Sequence, residues 1–117
     1  SYNLNNVTQS NEGDTFSAQV ENMEGMDTIW DCSADAALET ELSYDITLYS
    51  GKVKLALISP DEEVTTLVEL DSGKSAAGTV SFTLQPGENR IKVVAGEDTG
   101  FDMSLTVPEG EFGSLGF

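Results

Sequence analysis

Histidine is absent from the 117 residues and cysteine occurs once. Without histidine there is no side chain that titrates near neutral pH as a proton shuttle, no Ser-His or Cys-His nucleophile pair, and no His-based metal site. With a single cysteine, Cys32 has no intrachain disulfide partner, so cysteine usage does not report the redox compartment. Its neighbours Asp31 and Asp35 raise a thiol pKa rather than lower it, which makes Cys32 a small buried hydrophobe and not a nucleophile. Cations are scarce too: five Lys and Arg stand against twenty-one Asp and Glu, a formal net charge of -16. Long-range repulsion then disfavours nucleic acid and anionic lipid surfaces as partners. No run is long and apolar enough to span a bilayer, and no GxSxG, P-loop or GxGxxG motif occurs.

The length is that of one domain, enough to bury roughly two thirds of the surface its unfolded chain exposes. The chain opens on Ser1 rather than Met, the expected mark of a processed or trimmed protein. Residues 1 to 13, SYNLNNVTQSNEG, are rich in Asn, Ser and Gln and read as a polar tether. The sequon Asn6-Val7-Thr8 within them reads as a chance occurrence.

From Asp14 the pattern changes to apolar alternation. Phe16, Ala18 and Val20 make one strand and Thr28, Trp30 and Cys32 another. Residues 33 to 42, SADAALETEL, hold helix-forming side chains and allow a helical turn. Leu42, Tyr44, Ile46 and Leu48 then keep strict period two, as do Val53, Leu55 and Leu57. A two-residue hairpin at Ser50-Gly51 would set Leu48 against Val53, Ile46 against Leu55 and Tyr44 against Leu57. Pro60 and Asp61 mark a turn, residues 64 to 70 a further strand, and residues 71 to 78 a loop. Around Pro86-Gly87-Glu88-Asn89 the same test sets Leu84 against Ile91, Phe82 against Val93 and Val80 against Ala95. A second loop at 96 to 100 would return Phe101, Met103, Leu105 and Val107 to that face. These strands give an all-β expectation: an antiparallel two-sheet β-sandwich, jelly-roll-like, of about eight strands, over residues 14 to 108. Residues 109 to 117 form a Gly-rich tail, expected to be partly ordered through Phe112, Leu115 and Phe117.

The runs MDTIWDCSA, LSYDITLYSGKVKLALISPDEEVTTLVEL and FTLQPGENRIKVVAGEDTGFDMSLTV resemble β-sandwich domains of small, poorly characterised lipoproteins of Gram-positive bacteria. More distantly the layout is similar to the bacterial pre-peptidase C-terminal domain, in which a strand ending at a Pro-Asp turn precedes a PG turn and a last pair of strands. The resemblance implies secretion, and attachment through a lipidated Cys ahead of the tether, with the domain outside the membrane. Cys32 cannot be that residue, because it sits inside the folded region. No catalytic residues carry over.

Four of the five cations, Lys52, Lys54, Arg90 and Lys92, fall on outward strand positions beside core residues. Gathered in one sheet they would form a basic stripe for an acidic polymer; the plainer reading is neutralisation of acids such as Glu41, Asp45 or Glu69 across the sheet. Glu97, Asp98 and Asp102 crowd one loop end, where oxygen-rich side chains would suit calcium, but the EF-hand spacing is missing and a solvated acidic loop is the plainer reading, so no cofactor is expected unless calcium binds there. Tyr49 points outward beside a turn, as a sugar platform or as edge cover, whereas Trp30 shares a face with Cys32 and belongs to the core. The acid pairs Glu62-Glu63 and Glu39-Glu41 are neighbours on a turn and a strand, not groups opposed across a cleft. The leading expectation is a non-enzymatic extracytoplasmic module that binds or scaffolds at the bacterial surface, with a surface protein or cell-wall glycan as partner. A carbohydrate-binding module using Tyr49 is the alternative, and a carboxylate-dependent hydrolase the third reading.

Overall fold

The computed structural model describes residues 3–71 and 73–116. Eight strands follow in chain order: β1 (Asn3–Glu12), β2 (Thr15–Ala34), β3 (Leu38–Ser50), β4 (Lys52–Ile58), β5 (Val64–Asp71), β6 (Ser75–Leu84), β7 (Gly87–Thr106) and β8 (Glu111–Phe112). Every pairing is antiparallel, so the chain folds as the all-β sandwich expected from its alternation.

Two long strands build both layers. β2 and β7 each run for 20 residues and pair with one another along their length. Their register slips between Val20 and Met23, between Met23 and Gly25, and between Thr28 and Trp30. Bulges of this kind bend a strand and let it pass from one sheet to the other. Before the bend, Thr15 to Val20 of β2 lie against Phe101 to Thr106 of β7, flanked by β1 on one side and β3 then β6 on the other. Beyond it, Gly25 to Ala34 lie against Gly87 to Ala95, flanked by β8 and by β4 then β5. The first layer is therefore β1-β2-β7-β3-β6 and the second β8-β2-β7-β4-β5. Phe16, Leu42, Phe101 and Leu105 from the first layer meet Trp30, Leu55, Ile91 and Val93 from the second in one continuous core. Trp30 is capped edge-to-face by Phe82, ring centres 5.9 Å apart.

Alternation identified the buried faces but not the partners. β3 and β4 do not pair; Ser50-Gly51 is a crossing between layers, with Leu48 beside Phe101 and Val53 beside Leu70 and Ala95. Thr99, fully buried, holds that crossing: its hydroxyl lies 2.8 Å from the Gly96 carbonyl and 3.1 Å from the Lys52 carbonyl, and accepts from the Lys52 amide at 3.3 Å. The second expected hairpin is also a crossing. β6 pairs with β3 from Leu84 opposite Leu38 to Ser75 opposite Thr47, and β7 starts in the other layer. The segment 96–100 does not reverse the chain; residues 96 to 98 arch out of β7 opposite Glu24 and the strand continues to Phe101. No meander forms, because period-two patterning dictates inside and outside without choosing between a hairpin and a layer change.

Three further expectations change. Residues 3 to 12 are not a tether but β1, paired with β2 through Val7 opposite Val20 and Ser10 opposite Ser17. The helical turn at 33–42 is absent: β2 runs to Ala34 and β3 begins at Leu38, since a short segment gains too little from propensity to resist sheet pairing. The loop expected over 71 to 78 ends early, with β6 starting at Ser75. The tail is tied down. Phe112 stacks on Phe16 at 5.7 Å, the Gln9 side chain brackets the Leu115 backbone at 2.7 and 2.9 Å, and Trp30 Nε1 donates to the Glu109 carbonyl at 2.9 Å. Phe117 lies outside the described residues.

Candidate functional site

The expected ligand-binding residues divide between the two outer faces. Tyr49 is on the first layer; Lys52, Lys54, Arg90 and Lys92 are on the second.

On the first layer, antiparallel register aligns the outward side chains into rows that cross the strands. One row runs Glu12, Thr15, Thr106, Ser43, Thr79, with hydroxyl contacts of 3.3 Å between Thr15 and Thr106 and 3.4 Å between Ser43 and Thr79. The next runs Ser10, Ser17, Ser104, Asp45, Ala77, and the third Thr8, Gln19, Asp102, Thr47, Ser75. Beyond the third row, two residues past Thr47 on β3, stands Tyr49, 63% exposed, its hydroxyl donating to Asp102 Oδ2 at 2.7 Å. That bond raises the Tyr49 pKa and keeps the phenol protonated. Two open depressions of about 610 and 250 Å³ share Gln19 and Asp102 on this face. The rows carry hydroxyls and amides, with Glu12, Asp45 and Asp102 as their carboxylates and no cation. The sequence shows each strand's polar side; the rows appear only once the register is known.

The second layer's outer face is a mixed-charge surface. Arg90 Nη2 meets both Glu62 carboxylate oxygens at 2.9 and 3.2 Å, Lys54 lies opposite Glu69, and Lys52 opposite Asp71. Lys92 sits between Thr28 and Ala56. The four cations do occupy neighbouring strands, β4 and β7, but acids are interleaved with them. A larger open hollow of about 850 Å³ at the end of this face is lined by Lys52, Met26, Gly96, Glu24, Asp71 and Glu97 among others. It contains no aromatic ring, and its charges are of both signs.

The acidic loop does not converge. Asp98 accepts from Asn22 at 3.3 Å, Asp102 is engaged by Tyr49 on the sheet face, and among the described residues no group of three or more Asp, Glu, His or Cys side chains is placed to hold a metal ion. Glu62 is committed to Arg90, and Glu39 and Glu41 project from one strand, so neither acid pair faces another across a cleft. Cys32 is half-buried; its thiol pKa is raised by burial and then by Glu109, Glu88 and Asp31. The carboxyl of Asp31 is also raised, by burial first and by Glu88 and Glu111 next.

Neither a protein-family model nor a curated protein sequence matches the chain. Solved structures do. A family 29 carbohydrate-binding module superposes with a TM-score of 0.53 at 14% identity, over 92% of this chain and 79% of that one. A mutant of such a module in complex with mannohexaose gives 0.52 at 13% identity, over 92% and 82%. Another, in complex with cellulohexaose, gives 0.51 at 14%, over 92% and 81%. At this identity the likeness is one of fold, and this chain shares the β-sandwich architecture of those modules.

Proposed function

We propose that the protein is a non-catalytic carbohydrate-binding module whose site is the outer face of the first layer. The observation that carries this reading is the set of three polar rows beside the exposed, hydrogen-bonded Tyr49. A sugar chain presents hydroxyls that both donate and accept, together with apolar ring faces. Rows of Ser, Thr and Gln side chains match the first, and an exposed ring held by Asp102 offers a stacking surface for the second. Glu12, Asp45 and Asp102, in rows without a cation, favour a neutral glycan over an acidic one. The fold shared with modules solved with mannohexaose and cellulohexaose supports this reading over that of an unspecified binding or scaffolding domain. A glycan partner in turn suits work outside the cytoplasm, at a cell wall or an extracellular polysaccharide.

Isothermal titration against neutral mannan- and glucan-derived oligosaccharides tests the proposal. Tyr49→Ala is expected to weaken binding about tenfold, equivalent to 1.4 kcal/mol, and Gln19→Ala to weaken it further, with melting temperatures unchanged. Lys92→Ala on the opposite face is expected to bind as the parent does. Absence of binding across the panel, or full affinity in Tyr49→Ala, would sink the reading.

A further inference from the structure

The polar rows cross the strands, but the hollows on the same face follow them. The depression of about 610 Å³ is lined by Asn6, Glu21 and Tyr49 beyond the third row, and that of about 250 Å³ by Ser17, Asp45 and Ser104 of the second. Gln19 and Asp102 of the third row line both, so the two hollows succeed one another down β2, β7 and β3. All three rows reach β6, yet β6 lines neither hollow, and β1 does not line the smaller one. Hydrogen bonding divides the face the same way. In the first row the hydroxyls are spent on one another, Thr15 with Thr106 and Ser43 with Thr79. At the far end of the larger hollow Tyr49 is fixed by Asp102, and Asn6 donates to Glu21 at 3.1 Å. Between these limits, among the described residues, the side chains of Gln19, Ser17, Ser104, Thr47 and Asp45 have no hydrogen-bond partner. The double hollow therefore has a fixed ring at one end and a floor of uncommitted donors and acceptors along the rest.

We infer, resting on the carbohydrate-binding reading, that the glycan chain lies along β2, β7 and β3 and crosses the rows, with one sugar ring on Tyr49, the next over Gln19 and a third over Ser17 and Ser104. The path from Tyr49 to Asp45 on β3, or from Glu21 to Ser17 on β2, is about 13 Å of strand, the reach of about three linked pyranose rings. Gln19 stands where the two hollows join. A single amide carries both an acceptor and donors, so it spans two adjacent sugar hydroxyls, accepting from one and donating to the other. It is thereby the specificity-determining residue of the middle ring: acylation of either hydroxyl removes one of the two bonds. The site takes a segment of several sugars, and a single sugar or disaccharide leaves part of the floor unused.

Isothermal titration of the full chain with manno- and cello-oligosaccharides, from disaccharide to hexasaccharide, tests this. Affinity of the parent is expected to rise about tenfold from the disaccharide to the tetrasaccharide and then to level. Isoleucine suits an outward strand position, fills space and makes no side-chain hydrogen bond, so it serves as a block. Ser17→Ile with Ser104→Ile blocks the second row on the inferred path and is expected to abolish that gain with length while leaving the disaccharide bound as in the parent. Ser10→Ile with Ala77→Ile blocks the two ends of the same row, on β1 and β6, and is expected to leave the hexasaccharide within about twofold of the parent. All four positions are exposed, and unchanged melting temperatures verify that each variant is folded. A parent whose affinity is flat with length, or a hexasaccharide weakened as much by the Ser10 and Ala77 pair as by the Ser17 and Ser104 pair, overturns the path while the carbohydrate-binding reading stands. Absence of binding by every oligosaccharide sinks that reading and the path with it.

Discussion

Asn89 does more than its position in a turn sequence suggests. It is fully buried, its side-chain oxygen accepts from the Gln85 amide at 3.1 Å, and its side-chain nitrogen faces the carbonyls of Gln85 (2.9 Å), Gly87 (3.1 Å) and Cys32 (3.3 Å). One side chain thereby satisfies backbone groups on both sides of the β6-β7 crossing and on β2, where a hairpin would have used ladder bonds. Removing it leaves buried groups unpaired, which costs more than the net worth of the bonds themselves. Asn89→Ala is expected to lose about 3 kcal/mol of stability, read as a lower denaturation midpoint with an unchanged slope. Asn89→Asp is expected to be at least as damaging, because it keeps the acceptor but replaces the donor with a buried charge. A loss under about 1 kcal/mol for Asn89→Ala would mean that the turn is held by its backbone alone. In the sequence Asn89 reads as a loop residue, because its polarity is visible there and its burial is not.

At the level of elements, the inward residues of β3, β4, β6 and β7 were legible from alternation: Leu42, Ile46, Leu48, Val53, Leu55, Phe82, Leu84, Ile91, Val93 and Phe101 are all buried. The pairing was not, because adjacent strands with matching patterns satisfy a hairpin and a sandwich crossing equally well. What separates them is the environment of the connecting residue. Gly51 has φ +74°, which a hairpin turn also demands, but a Cβ there would stand 2.7 Å from the Thr99 Cα and 2.2 Å from its hydroxyl. Gly73 shares the dihedral, at φ +77°, with nothing within 4 Å. Gly73→Ala should therefore cost only the left-handed backbone penalty of about 1–2 kcal/mol. Gly51→Ala adds a clash with backbone that has no free rotamer, and its cost is expected to exceed that of Gly73→Ala by about 2 kcal/mol or more. Equal losses in thermal or chemical denaturation would show that the Gly51–Thr99 contact yields freely. The polar composition of β1 likewise reads as a tether, yet an edge strand needs only a few inward contacts, here Leu4 and Val7 on either side of the break in pairing at Asn6.

Over the whole molecule, charge and site are arranged by face, and this was the part least readable from the sequence. Tyr49 and the four cations were singled out together, yet they lie on opposite sides of the sandwich; the rows around Tyr49 come from residues as far apart as Thr8 and Asp102 in the chain. Acids lie on both faces, Glu12, Asp45 and Asp102 within the rows and Glu62, Glu69 and Asp71 beside the cations, and Arg90 with Glu62 is the one ion pair among the described residues. A net charge of -16 with so little pairing leaves the folded state under self-repulsion that unfolding relieves. Salt screens it, with a Debye length of about 10 Å at 0.1 M and about 3 Å at 1 M, so the melting temperature is expected to rise with sodium chloride. Divalent ions separate this diffuse effect from a built site. Glu97, Asp98 and Asp102 do not converge, so calcium and magnesium are expected to raise the melting temperature equally at matched concentration. A calcium site with several oxygen ligands would instead favour calcium, because magnesium demands a smaller octahedral shell and sheds its water reluctantly. A calcium shift that saturates and exceeds that of magnesium would therefore require the arch at residues 96 to 98 to close onto Asp102, breaking its bond from Tyr49 and linking ion binding to the proposed glycan face.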